Sequence, residues 1–254
     1  MSAVIPKGRF VWADLMTNDV DAAIRFYTAV AGWGTQKWDG PMPYTMWTVN
    51  GAPIGGIMPL PEVGGHPNWL GYTSTPDVDA TAREAESLDA VIHVAPQDIP
   101  GVGRFAVLTD PQGAYFALYS SSGDVQGHDN EPAVGEFSWH ELATSDGDAG
   151  LAFYTKLFGW DKLSSFDMGS GWMYHLFGRA GREIGGAFTK TNDMPGPPMW
   201  IHYIKVDSAQ AAAERITKAG GQVINGPMEV PGGDWITQAI DPQGAMFAVH
   251  SKGK

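Results

Sequence analysis

The sequence predicts an α+β chain: one small module of a strand, a helix and about three further strands, used four times and grouped into two tandem halves. Three observations predict this. FVWADLMTNDVDAAIRFYTAVAGW, starting at Phe10, recurs as FSWHELATSDGDAGLAFYTKLFGW, starting at Phe137, with half of the aligned positions identical. Later landmarks recur in the same order: Gly55-Gly56 with Gly185-Gly186, Trp69 with Trp200, and a DPQG turn at Asp110–Gly113 and again at Asp241–Gly244. Between the halves lies SSGDVQGHDNEPAVG, rich in Gly, Ser, Asp and Asn, which reads as a flexible surface linker. These place one domain at residues 1–120, a linker at 121–136 and a second domain at 137–254.

The elements follow in order. Phe10 to Thr17 alternates apolar and polar residues, as a half-buried strand does. Asn18 or Asp19 can cap a helix whose apolar positions are Ala23, Phe26, Tyr27 and Val30, with Gly32 as its stop. Tyr44–Val49 and Ile54–Met58 read as short strands. The pattern then restarts, with a strand at Trp69–Thr75 and an amphipathic helix at Val78–Leu88. Arg104–Leu108 and Tyr115–Tyr119 are strands joined by the first DPQG turn, where Pro presets one turn residue and Gly permits positive φ. The second half repeats the plan, with helices near Asp146–Phe158 and Ser208–Ala219.

Composition removes whole classes of chemistry. The 254 residues include no cysteine, which excludes disulfides, thiolate zinc sites, iron–sulfur clusters and a cysteine nucleophile. Sixteen basic residues against 28 acidic give a net charge of -12, which repels phosphate backbones and anionic lipid and argues against nucleic-acid or membrane partners. The N-terminal text lacks the apolar core of a signal peptide, and no apolar run is long enough to span a bilayer, so the expected location is cytoplasmic.

The strand–Asp–helix signatures ending FYTAVAGW and FYTKLFGW, with the DPQG turn before each terminal strand, resemble the vicinal oxygen chelate superfamily of glyoxalase I, bleomycin resistance proteins and extradiol dioxygenases. The chain is most similar to its two-domain hydroxylase-like or glyoxalase-like subgroup. The resemblance implies four βαβββ modules forming two cupped-sheet domains in tandem. It also implies a divalent metal held by His, Gln or Glu from each cup. At the positions it assigns, this sequence has Trp12 and Trp139, Leu70 and Ile201, Ala117 and Ala248, and the two Gly-Gly pairs. None of these side chains has a lone pair suited to a divalent cation. No cofactor is therefore expected, and a metal would need non-standard ligands.

Two functional classes remain open at this stage. One is a binding protein that encloses a planar or aromatic small molecule in an aromatic-lined cup, as monomer or homodimer. Its lining residues would be Trp12, Asp14, Tyr72, Tyr115, Tyr119, Trp139, Tyr203 and Met246, and the loops EVGGHPN and MPGPP, which precede Trp69 and Trp200, would rim the mouths; the plainer alternative is that the aromatics fill the core. The other is a lyase, isomerase or oxygenase of the second half, with Glu141 as base or ligand and His250 as its partner. Asp14 and Glu141 also have a plainer reading, as polar residues bonded to Trp or Tyr inside the cup. His140 and His202 should face the helices, and no GxSxG elbow marks a serine hydrolase.

Overall fold

The computed structural model describes residues 5–40, 42–60, 65–123, 127–192, 194 and 196–253. Linker residues 124–126 and parts of the loops before Trp69 and Trp200 lie outside the described residues. The first half contains β1 (Phe10–Thr17), α1 (Val20–Ala31), β2 (Gly34–Lys37), β3 (Thr45–Val49), β4 (Ala52–Pro59), β5 (Asn68–Ser74), α2 (Val78–Glu86), β6 (Val91–Ile99), β7 (Gly103–Thr109) and β8 (Tyr115–Ser121). The second contains β9 (Phe137–Thr144), α3 (Gly147–Phe158), β10 (Asp161–Asp167), β11 (Met173–Arg179), β12 (Arg182–Thr189), β13 (Met199–Lys205), α4 (Ala209–Lys218), β14 (Gln222–Glu229), β15 (Asp234–Ile240) and β16 (Met246–Lys252). The strands form two eight-stranded mixed sheets, ordered β2-β3-β4-β1-β5-β8-β7-β6 and β10-β11-β12-β9-β13-β16-β15-β14. The fold is α+β, with the expected module used four times.

The helices start and stop where side-chain chemistry requires. Asp19, Asp77 and Asp146 each accept a backbone N–H three residues on, and Ser208 does the same for α4. Gly32 and Gly159 end α1 and α3 at φ 72° and 71°, a left-handed conformation that glycine adopts without steric cost. Four strands escape the sequence patterns: β2, β6, β10 and β14. All lie at sheet edges, and β2 and β10 are exposed along their whole length, so they show no apolar alternation. β6 and β14 carry Pro96 and Pro227 beside register shifts, a tolerable place for proline only at an edge.

The chain packs as two compact units, each drawing one module from each half. One comprises the described residues of Met1–Trp12, Gly71–Asp129 and His140–Trp200; the other those of Ala13–Leu70, Asn130–Trp139 and Ile201–Lys254. In the second unit, α1 packs on α4 through Phe26, Tyr27, Val30, Ala212 and Ile216. In the first, α2 packs on α3, with Val78, Ala82 and Ala85 in the same core as Leu151, Tyr154 and Leu157.

A buried hydrogen-bond chain ties each unit together. Trp200 Nε1 donates to the Tyr154 hydroxyl at 2.9 Å, and that hydroxyl donates to Asp110 Oδ2 at 3.0 Å. Asp110 Oδ1 accepts the N–H groups of Gln112 and Ala114, fixing the DPQG turn. Trp69, Tyr27 and Asp241 repeat the chain at 2.9 and 3.1 Å in the other unit. For Trp69 and Trp200 the structure favours core filling over a place in a cup lining. Both are buried core residues, because their indole N–H groups have a fixed acceptor inside. Burial pushes the carboxyl groups of Asp110 and Asp241 above their ordinary range. Burial, with the neighbouring carboxylate, pushes the Tyr27 and Tyr154 hydroxyls up as well.

The linker is anchored rather than loose along its described length. Asp129 pairs with Arg9 and Arg179, and Glu131 pairs with Lys205 at 2.9 Å and Lys252 at 3.0 Å. The acidic residues that made this stretch look like solvated loop are the groups that hold it. The two lysines push the Glu131 carboxyl down to about 2 from 4.5. A depressed acid contributes stability above its unfolded value and loses it as pH falls through the folded one. Glu131→Gln should therefore lower stability slightly, by no more than about 1 kcal/mol for so exposed a pair. The difference should vanish between pH 4.5 and about 2; thermal unfolding of both proteins across that range measures it.

Candidate functional site

Residues paired directly across strands lie on one face of a sheet. In the first unit, Phe166, Tyr174 and Phe188 stand abreast on β10, β11 and β12. In the adjoining row, Leu176, Gly186 and Glu141 do the same on β11, β12 and β9. Leu142 and Ala187, next along their strands, point into the core, so Glu141 and Gly186 occupy the opposite face. Tyr174 donates its hydroxyl to Glu141 Oε2 at 2.8 Å. Its ring lies over Gly186, where any Cβ would fall inside it. Trp172 stands 5.3 Å from Phe188, edge to face.

The second unit contains the matching arrangement from the first half. Asp14, Gly56 and Met46 are paired across β1, β4 and β3. Tyr44 donates to Asp14 Oδ1 at 2.6 Å, and a Cβ on Gly56 would strike the Tyr44 hydroxyl. Trp38 packs on Tyr44 at 5.9 Å. Thus each half carries a buried carboxylate, a half-buried tyrosine donating to it, and a glycine that makes room for the ring. The sequence singles out Asp14 and Glu141 and, on the plainer reading, gives them Trp or Tyr partners, but it does not identify Tyr44 or Tyr174 as those partners. A signal was present: each tyrosine precedes the second glycine of its pair by the same spacing, in Tyr44/Gly56 and Tyr174/Gly186.

The remaining expected lining residues are spread over both units. Trp12 and Trp139 are half-buried. Tyr72 is buried 6.5 Å from Phe105. Tyr119 donates its hydroxyl to the Val102 carbonyl at 3.1 Å. Tyr115 is 51% exposed at the start of β8, against the His93 ring at 4.9 Å. Tyr203 is buried and accepts from Gln238 Nε2 at 2.8 Å. Met246 opens β16 opposite Ile240. His140 stacks on Phe10 at 3.7 Å. His202 is buried, and burial pushes its imidazole down to about 4.

His250 occupies a different setting from Glu141. Its Nδ1 is 3.0 Å from Ser138 Oγ, and its Nε2 is 2.9 Å from Asp234 Oδ2. All three residues belong to the second unit.

The donor set does not fit the divalent metal that the resemblance implies. Ala117 and Ala248 are buried aliphatic residues, and the glycine pairs offer no side chain. Among the described residues no group of three or more His, Asp or Glu comes together as a metal site would need. Among them, too, no helix is long and apolar enough to cross a membrane.

A family model described as the Glyoxalase/Bleomycin resistance protein/Dioxygenase superfamily matches residues 9–118 and 136–249. A Mycobacterium tuberculosis protein, CFP32, provisionally named a glyoxylase, is 35% identical over 247 residues, covering 94% of this chain and 92% of the relative. The anthracycline biosynthesis protein DauV of Streptomyces sp. strain C5 is 30% identical over 267 residues, covering 95% and 92%. Among solved structures, the 2,3-dioxygenase LapB of Pseudomonas sp. KL28 superposes with a TM-score of 0.70 at 13% identity, covering 99% of this chain and 94% of that one. The Mn(II)-bound glyoxalase of Novosphingobium aromaticivorans gives 0.65 at 17% identity, covering 98% and 83%. These two likenesses are of fold.

Proposed function

The chain belongs to the glyoxalase/bleomycin resistance protein/dioxygenase superfamily, and from that premise we propose that it binds a planar, phenolic aromatic molecule without a metal. The observation that carries this reading is the tyrosine–carboxylate pair set beside an aromatic rank, built twice from different sequence. In the second half the ligand stacks against the face formed by Phe166, Tyr174 and Phe188, with Trp172 at its border. A ligand hydroxyl donates to the Tyr174 oxygen, which itself donates to Glu141. Each bond polarises the next, so the pair favours an acidic O–H over an apolar edge. The first half offers the same chemistry through Tyr44, Asp14 and Trp38. One relative is named for anthracycline biosynthesis, and anthracyclines are planar polycyclic phenols, the ligand class this face suits.

The test is a titration of the purified protein with a dihydroxyanthraquinone, followed by tryptophan quenching and calorimetry, with and without chelator. Saturable binding indifferent to chelator is expected. Tyr174→Phe should weaken it about tenfold, the worth of one polarised hydrogen bond. Glu141→Gln should weaken it to a similar degree. Binding that disappears with chelator, or that Tyr174→Phe and Tyr44→Phe together leave unchanged, would overturn the proposal.

A further inference from the structure

We propose that Ser138, His250 and Asp234 form a nucleophilic relay that accepts an acyl group from a small ester, an activity separate from the binding reading above. The geometry is that of a nucleophile, a base and a group that orients the base. Ser138 Oγ lies 3.0 Å from His250 Nδ1, and His250 Nε2 lies 2.9 Å from Asp234 Oδ2. Asp234 holds the imidazole proton on Nε2, which leaves Nδ1 to accept the serine proton. The nitrogens are exchanged relative to the commonest serine relays, but either ring nitrogen can act as base, and such relays are recognised by geometry and roles. Among the described residues Ser138 Oγ has one other acceptor in reach, the Tyr203 carbonyl at the longer distance of 3.4 Å. The three side chains are partly open to solvent, His250 at 14% and Asp234 at 38%, so a small substrate can approach.

The repeat supplies the strongest argument. The equivalent positions in the first half are Val11, Gly103 and Tyr119. There the tyrosine ring fills the space over the glycine and its hydroxyl bonds to the Val102 carbonyl. The fold therefore builds the same strands without any of the three polar groups. Their assembly in the second half, from residues 112 and 16 apart in sequence, is not required by the architecture.

The reaction balances with water as the only co-reactant. Ser138 Oγ attacks the ester carbonyl as its proton passes to His250 Nδ1. The carbon–oxygen bond to the leaving alcohol breaks, and the alcohol takes that proton. Water, deprotonated by His250, then releases the acid and restores the serine.

Incubation of the full chain with an alkyl fluorophosphonate tests this directly. Attack by Ser138 forms an oxygen–phosphorus bond and expels fluoride, and peptide mass spectrometry locates the adduct. One adduct per chain, on Ser138, is expected, along with slow hydrolysis of p-nitrophenyl acetate. Asp234→Asn should slow labelling about a hundredfold, the usual scale of a positioned base. The double variant Asp234→Gly with His250→Tyr, which copies the first half's own pair and so preserves its packing, should abolish it. Absence of an adduct on Ser138 in the folded protein, or equal labelling of that double-variant chain, overturns the proposal. Neither outcome depends on whether the anthraquinone binds.

Discussion

Gly185→Ala is expected to destabilise the protein by about 3 kcal/mol or more, a fall of roughly 6–12 °C in Tm for a chain of this size. Gly185 stands opposite His140 in the parallel pairing of β12 with β9. An added Cβ would lie inside both the His140 carbonyl oxygen and the edge of the Phe177 ring. Neither can yield. The carbonyl belongs to a central strand, and Phe177 is fully buried, stacked on Trp160 at 4.7 Å. Gly186→Ala, one residue on, should behave differently. The three atoms nearest its Cβ all belong to Tyr174, which is half-buried and can swing away once its bond to Glu141 is given up. That protein should fold with a loss of about 1–2 kcal/mol and bind the anthraquinone as poorly as Tyr174→Phe. Thermal and denaturant unfolding of the two variants separates the roles. A Gly185→Ala protein as stable as the parent would show that the close approach of the strands is not binding on the fold.

What the sequence made legible follows from the range of the interactions. Asp19, Gly32 and the DPQG turns act within a few residues of themselves, so their meaning can be read locally, and the repeat doubled each signal. Trp69 and Trp200 each follow a Gly/Pro-rich loop, where an indole can line a cup or fill the core until its acceptor is known. Those acceptors, Tyr27 and Tyr154, lie 42 and 46 residues earlier. Asp14 and Glu141 stood out as polar residues on an apolar strand, but their tyrosines come from strands whose register no local pattern fixes. Of Ser138, His250 and Asp234 the sequence singles out His250 alone, because only the closing of β9, β13, β16 and β15 into one sheet brings the three together. Edge strands such as β2 and β10 remained hidden because exposed residues carry no burial pattern to read.

Tyr154→Phe should cost about 3 kcal/mol at neutral pH, a large loss for one oxygen atom. The hydroxyl is the middle of a buried chain, so its removal leaves two groups without their partner, the Trp200 N–H and Asp110 Oδ2. The pH dependence identifies the cause. Burial raises the Asp110 carboxyl, and the Tyr154 hydroxyl acts against that rise. A folded pKa above the unfolded one means that stability is lost as pH rises from the unfolded value through the folded value. Without the hydroxyl the folded value climbs further, so the variant loses more over that interval than the parent does. The deficit should therefore be greatest near pH 7 and shrink as pH falls into the carboxylate range, where Asp110 is protonated and no buried charge is left stranded. Tyr27→Phe should repeat this through Asp241. The two chains share no residue, so the double variant should lose close to the sum. Denaturant unfolding at pH 7 and near pH 4 tests both statements. A deficit that does not change with pH would mean that the tyrosines contribute packing alone, and that the Asp of each DPQG turn is held sufficiently by its backbone donors.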